Sequence, residues 1–143
     1  MLLAFILAAM TALAPNRDHS EIADILARVI TAERPLFQND NDRKKTAALI
    51  VAVGFRESGL RMDAVSKTND YCLMQINHRP DLVKFPEACI RVGIAMMRES
   101  MRVCPAHPLS FYAEGPRGCA SARAQRISKD RMALAARLAK VTP

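Results

Sequence analysis

The sequence predicts a mainly α-helical protein with at most a small β-hairpin. Apolar residues recur at helical spacing in segment after segment, and only Asp70 to Asn77 reads as extended. No internal repeat and no low-complexity linker interrupts the chain. At 143 residues it is one domain, large enough for a single hydrophobic core.

Residues 1–14 run without a charge and are too short to span a bilayer as a helix. They are long enough for the apolar core of a secretory signal, and Ala12-Leu13-Ala14 has the small-residue form of a cleavage site. No Lys or Arg precedes Arg17, and Pro15 follows the expected cut. Export is the favoured expectation, periplasmic or extracellular, with residues 15–143 as the folded domain. The alternative is an N-terminal apolar helix that packs on the domain or anchors it loosely to membrane, and any membrane contact is confined to this segment.

Ser20 is placed to cap a helix whose Ile22, Ile25, Leu26, Val29 and Ile30 share one face, ending near Pro35. Asn41 or Asp42 is expected to cap the next. Residues 47–55 are apolar on every face, as in a helix buried all round, and Gly59 is well placed to end it. Pro86 suits the first turn of a further helix, with Ile90, Ile94, Met97 and Met101 as a core stripe. Ser128 is the expected cap of a last helix carrying Met132, Leu134, Ala135 and Leu138. If residues 70–77 form a strand, Leu73, Gln75 and Asn77 lie on one side.

The buried helix ends in Arg56-Glu57-Ser58-Gly59. Desolvation against a core and the negative end of a helix dipole both favour the neutral form of a glutamate. A carboxyl kept partly protonated near neutral pH suits a general acid. Pairing with Arg56 or Arg61 is the structural alternative and acts the opposite way. Beyond Glu57 a polar, turn-prone stretch, residues 63–71, leads into Cys72-Leu73-Met74-Gln75-Ile76-Asn77.

The order Glu57-Ser58, Ala64 and Ser66, then Leu73-Met74-Gln75-Ile76-Asn77 resembles the soluble-type lytic transglycosylases of the lysozyme-like superfamily. Their pattern is Glu-Ser, an Ala-x-Ser about eight residues later, then Gly-Leu-Met-Gln. Phe111-Tyr112-Ala113-Glu114-Gly115 is similar to the family's Ala-Tyr-Asn-Ala-Gly segment. The resemblance covers residues 40 to 140. Cys72 stands where the family has Gly, Asn69 and Asp70 replace Gly-Ala, and Ala113 and Glu114 replace Asn-Ala.

The resemblance implies a lysozyme-like fold and cleavage of the bond between N-acetylmuramic acid and N-acetylglucosamine. Glu57 would be acid, then base on the muramoyl C6 hydroxyl, closing a 1,6-anhydro ring. Ser66, Met74, Gln75, Asn77 and Tyr112 are the expected substrate-binding residues, with Tyr112 also positioning Glu57. Ser58 is expected to support the helix end. A hydrolase needs a second carboxylate. Only Asp63 and Asp70 lie between Glu57 and Asn77, and Asp70 is the better placed of the two, with Glu114 a more remote possibility. An Asp in such a turn more often bonds its own backbone. The rival readings are a hydrolytic lysozyme on the same fold, an inactive peptidoglycan-binding relative motivated by Ala113, and a basic nucleic-acid binder.

The net charge of +7 suits an anionic partner: peptidoglycan with its associated polyanions, nucleic acid or a membrane surface. Basic residues are scattered, apart from Arg43-Lys44-Lys45, so no nucleic-acid partner is expected. With no Trp, a sugar cleft would draw on Tyr71, Tyr112 and Phe111. Four cysteines in an exported chain point to two disulfides. Of the three connectivities, Cys72–Cys89 with Cys104–Cys119 is preferred, since each closes a short local loop. Without a Cys-x-x-Cys pair, and with His78 and His107 isolated, no metal is expected. No cofactor is expected, and a monomer is.

Overall fold

Nine consecutive residues of one helix, Thr46 to Gly54, are buried, and the other elements are arranged around them. The computed structural model describes all 143 residues. In chain order its elements are α1 (Leu2–Leu13), α2 (Ser20–Ala32), α3 (Lys44–Ser58), β1 (Asp70–Tyr71), β2 (Ile76–Asn77), α4 (Pro86–Val103), α5 (Ser110–Glu114) and α6 (Ala122–Leu138). Single 3₁₀ segments, Pro80–Val83 and Gly115–Ala120, precede α4 and follow α5. The chain is thus mainly α with one two-stranded hairpin.

The central helix is α3. It packs on α1, α2 and α6, which is why its sequence is apolar all round. The free N–H groups at the start of α3 need partners, above all at Thr46, where burial begins. Asp40 supplies them, accepting bonds from Lys45 N (3.0 Å), Thr46 N (2.8 Å) and Thr46 Oγ1 (2.6 Å). Asp42 takes only Lys44 N, at 3.1 Å, so the main cap lies one residue before the pair expected from sequence. Losing such a cap costs about 1 kcal/mol. At the other end Gly59 has φ 63°, a left-handed conformation that glycine adopts without strain, and its N–H bonds the Phe55 carbonyl at 2.9 Å.

Residues 1–14 form α1 and its exit. Phe5, Ile6, Ala9 and Met10 are buried, on a helix that packs against α2 and α3. The linker to α2 is tied down as well. His19 Nε2 lies 2.8 Å from the Ala14 carbonyl, and Arg17 donates to the carbonyls of Gly59 and Leu60 just past α3. Ser20 is not a cap with a free hydroxyl: Asp18 Oδ1 accepts both its N–H (2.9 Å) and its Oγ–H (2.6 Å).

Residues 70–77, which read as extended, form the expected small hairpin, but a tightly turned one. Asp70 pairs with Asn77 and Tyr71 with Ile76, around a turn at Cys72–Gln75. Leu73 and Met74 are consecutive and both fully buried, which a strand with alternating faces cannot achieve. Cys72 (φ 67°) and Gln75 (φ 52°) take left-handed backbone to make the turn, so Leu73, Gln75 and Asn77 do not share a face.

Both preferred disulfides are present. Cys72–Cys89 ties the hairpin to α4, and Cys104–Cys119 ties the end of α4 to the 3₁₀ segment after α5. On α4, Ile90, Ile94 and Met97 are buried as expected, and Gly93 lets the Met74 side chain lie against the helix. The last helix begins earlier than expected. Ser121 Oγ caps it by accepting Ala124 N at 3.2 Å, while Ser128 is buried within it and accepts Leu109 N at 3.0 Å. No helix is long and apolar enough to cross a membrane.

Candidate active site

Glu57 stands in the last turn of α3, one residue before its end, where the side chain leaves the core and is 26% exposed. Burial raises its carboxyl above the ordinary glutamate range. The Arg131 guanidinium on α6 opposes that rise from 3.7 Å, and the negative charge of Asp70 adds to it. The net direction is upward, as the helix-end position anticipates. Neither Arg56 nor Arg61 pairs with Glu57. Arg56 binds Asp130 at 3.1 Å, and the Arg61 N–H donates to Ser58 Oγ. Ser58 Oγ itself donates to the Gly54 carbonyl at 2.9 Å, closing the helix end as expected.

The residues that follow form the hairpin side of the site. Ser66, Asp70 and Asn77 meet in one hydrogen-bond network. Asp70 accepts from Thr68 Oγ1 (2.6 Å), Asn77 Nδ2 (2.8 Å) and Ser66 Oγ (3.1 Å). Partial burial would raise its carboxyl, but these bonds together hold it below the ordinary aspartate range. Asp70 is therefore a committed carboxylate that braces the 66–70 turn against β2. Gln75 uses Nε2 twice, toward Cys72 O (3.0 Å) and Ala64 O (3.3 Å), and no bond engages its Oε1.

Met74 differs from expectation. It is fully buried, with its side chain packed against Gly93, so the side chain does not reach a substrate. What it contributes is its backbone carbonyl, which accepts the Tyr112 hydroxyl at 2.6 Å. Tyr112 is positioned at both ends, since its N–H also donates to Ser100 Oγ at 3.0 Å. Burial pushes its phenol well up, and the nearby negative charges of Glu57 and Asp70 push the same way. The tyrosine is thus a neutral donor close to Glu57 but not bonded to it. Glu114 lies apart: hydrogen bonds from Ser121 and Arg123 hold its carboxyl low, with Arg123 Nη1 at 2.7 Å.

The structure brings Glu57, the Asp70 network and Tyr112 within electrostatic reach of one another. It adds a residue that sequence reasoning missed, Arg131, whose side chain is only 17% exposed. The available signal was its place on the buried stripe of α6, among Ala124, Ser128, Leu134 and Ala135. The largest groove, about 820 Å³, runs between residues 106–108 and α6 and is lined by neither Glu57 nor Tyr112.

A mainly helical, lysozyme-like domain with one raised glutamate ending its central helix is the class that fold and site define. The chain belongs to the transglycosylase SLT domain family: residues 35–134, well over half of it, match that family. The match leaves α1 and α2 outside it. No curated protein and no solved structure matches the chain. Membership supports a peptidoglycan-acting function of the lytic transglycosylase type. Two disulfides and a domain of this family fit an exported protein.

Proposed function

We propose that the chain is a lytic transglycosylase that cuts the β-1,4 bond between N-acetylmuramic acid and N-acetylglucosamine, with Glu57 as its one catalytic carboxyl. The observation that carries this reading is the contrast between Glu57 and the other candidate carboxyls. Glu57 is held toward its neutral form, whereas Asp70 and Glu114 are hydrogen-bonded anions committed elsewhere. One free carboxyl is what a reaction without water requires.

In that reaction Glu57 gives its proton to the glycosidic oxygen as the bond from C1 breaks. The resulting carboxylate takes the proton of the muramoyl C6 hydroxyl as that oxygen bonds to C1. Glu57 ends protonated, and no water is consumed. Gln75 would meet the sugar or its N-acetyl group through its uncommitted Oε1, with Ser66 and Asn77 shaping the same wall. Tyr112 would hold the Met74 turn through its hydroxyl and help to position Glu57. The enzyme would act as an exported monomer, and N-terminal sequencing of the exported chain reads whether residues 1–14 remain.

Mass spectrometry of fragments released from purified peptidoglycan by the full oxidised chain tests the reading, beside Glu57→Gln. Products ending in 1,6-anhydromuramic acid, absent with the variant, are expected. Asp70 is close enough to Glu57 to act on its charge, and this favours a hydrolase as second reading. Reducing-end sugars would establish that alternative. No release from folded protein would leave a wall-binding module.

A further inference from the structure

Charged residues seldom occupy the buried stripe of a helix unless paired. Arg131 does so on α6, three residues after Ser128 and three before Leu134, both buried. Its guanidinium is only partly satisfied. Nη1 lies 2.9 Å from Asp130, Nη2 lies 3.7 Å from Glu57 Oε1, and Nε is buried with no partner. Asp130 is shared with Arg56 at 3.1 Å, so a charge chain runs Arg56–Asp130–Arg131–Glu57. The short bond of the guanidinium goes to Asp130, and the edge this leaves under-bonded faces Glu57.

We propose that Arg131 is a positioning residue for the glycan cleavage: it holds the Glu57 carboxyl in place and stabilises the carboxylate that exists between proton donation and proton recovery. The inference rests on the transglycosylase reading of Glu57 and adds the group that lets one carboxyl serve both half-reactions. The charges and donors around Glu57 are few. Arg131 approaches from α6, Asp70 from β1 and the Tyr112 hydroxyl from α5. Burial and Asp70 both favour the protonated acid, and Arg131 alone favours the anion. Without it, Glu57 would protonate the leaving oxygen readily as an acid but would lack the stabilised base for the second step.

The test reads Glu57 directly. Full-length oxidised protein carrying ¹³C-carboxyl glutamate is titrated by NMR, with the Glu57 signal assigned by its loss in Glu57→Gln. Arg131→Gln should move the Glu57 midpoint up by roughly one pH unit, the low end of what an opposite charge within ~4–6 Å does. Arg131→Lys should leave it near the parent value. Asp130→Asn frees the guanidinium from its competing anion and should move the midpoint down, so the inference stays testable even if Arg131→Gln does not fold. On peptidoglycan, the basic limb of kcat/KM should follow the same shifts, because activity falls as Glu57 loses its proton. A folded Arg131→Gln protein with an unmoved midpoint overturns the inference, as does an unmoved midpoint in Asp130→Asn. Retained cleavage by Glu57→Gln would instead refute the reading of Glu57, and the NMR midpoints would stand apart from it.

Discussion

The two disulfides should contribute equally to stability and unequally to activity, which makes them a probe of what the hairpin does. Cys72–Cys89 closes 17 residues and Cys104–Cys119 closes 15. The loop-entropy relation assigns each about 3 kcal/mol, because the dependence on loop length is logarithmic. Paired substitution to Ala should lower the urea midpoint by about 1.5 M in either case, taking a slope of about 2 kcal/mol/M. The functional consequences differ. Cys72 begins the turn that carries Met74 and Gln75. Without its bridge that turn rests on Cys72 N–H to Ala64 O at 2.9 Å and the Gln75 bonds. Displacing it should cost roughly tenfold or more in peptidoglycan cleavage, as small misplacements near a reacting centre do. Tyr112 keeps its bonds to Met74 and Ser100 when Cys104–Cys119 is lost, so that variant should stay much closer to the parent. Both sulfurs of the first bridge are fully buried, while Cys119 is half-exposed. Mild reductant followed by alkylation and mass mapping should therefore find Cys104 and Cys119 labelled first. Full activity in the Cys72→Ala, Cys89→Ala protein, or earlier labelling of Cys72, would refute this account of the site's scaffold.

Three further outcomes follow from the geometry. Because the folded pKa of Glu57 lies above its unfolded value, its contribution to stability is fully present at acid pH and is lost as pH rises through the folded value. Glu57→Gln should consequently raise the melting temperature at neutral pH and change it little at acid pH, and an equal shift at both would contradict the burial argument. Tyr112→Phe leaves the Met74 carbonyl without its donor and should cost about 1–3 kcal/mol in urea unfolding, with the far-UV spectrum unchanged. Gly118→Ala should be far more damaging than an ordinary loop substitution, since an added Cβ would fall 2.0 Å from the Ser110 carbonyl oxygen, and soluble yield with thermal melting reads the loss.

How much of this was legible in sequence depended on whether a residue's neighbours lie near it in the chain. The buried helix declared itself through an apolar run with no polar face, and Gly59 marked its end, so the position of Glu57 at that end was legible. The disulfides were found because short loops join their partners. The small hairpin was expected, but not the faces of its residues: Leu73, Gln75 and Asn77 alternate as a strand does, whereas the buried pair Leu73-Met74 and the clamp to Cys89 impose a turn. Met74 was placed at the substrate by its motif, but its side chain answers to Gly93, remote in sequence. Arg131 was missed because an arginine on an amphipathic helix reads as solvated. Only the packing of α6 on α3 turns it toward a glutamate 74 residues away.

Asp70 and Glu57 show how one small site can separate two identical functional groups. Both are carboxyls of the same site, and the charge of Asp70 is a minor influence on Glu57. Their difference is local supply. Asp70 sits in a turn where Thr68, Asn77 and Ser66 all donate to it, so the anion is favoured despite partial burial. Glu57 ends a helix whose last carbonyls are acceptors, not donors; the Tyr112 hydroxyl is spent on Met74, and the guanidinium of Arg131 lies 3.7 Å away. A carboxylate there has no short hydrogen bond to lose on protonation, so the proton is held and can be given. Environments that push paired carboxyls apart in this way assign their roles. Three donors keep Asp70 anionic and tie it to the 66–70 turn and β2, and the products released from peptidoglycan read whether that carboxylate also enters the chemistry.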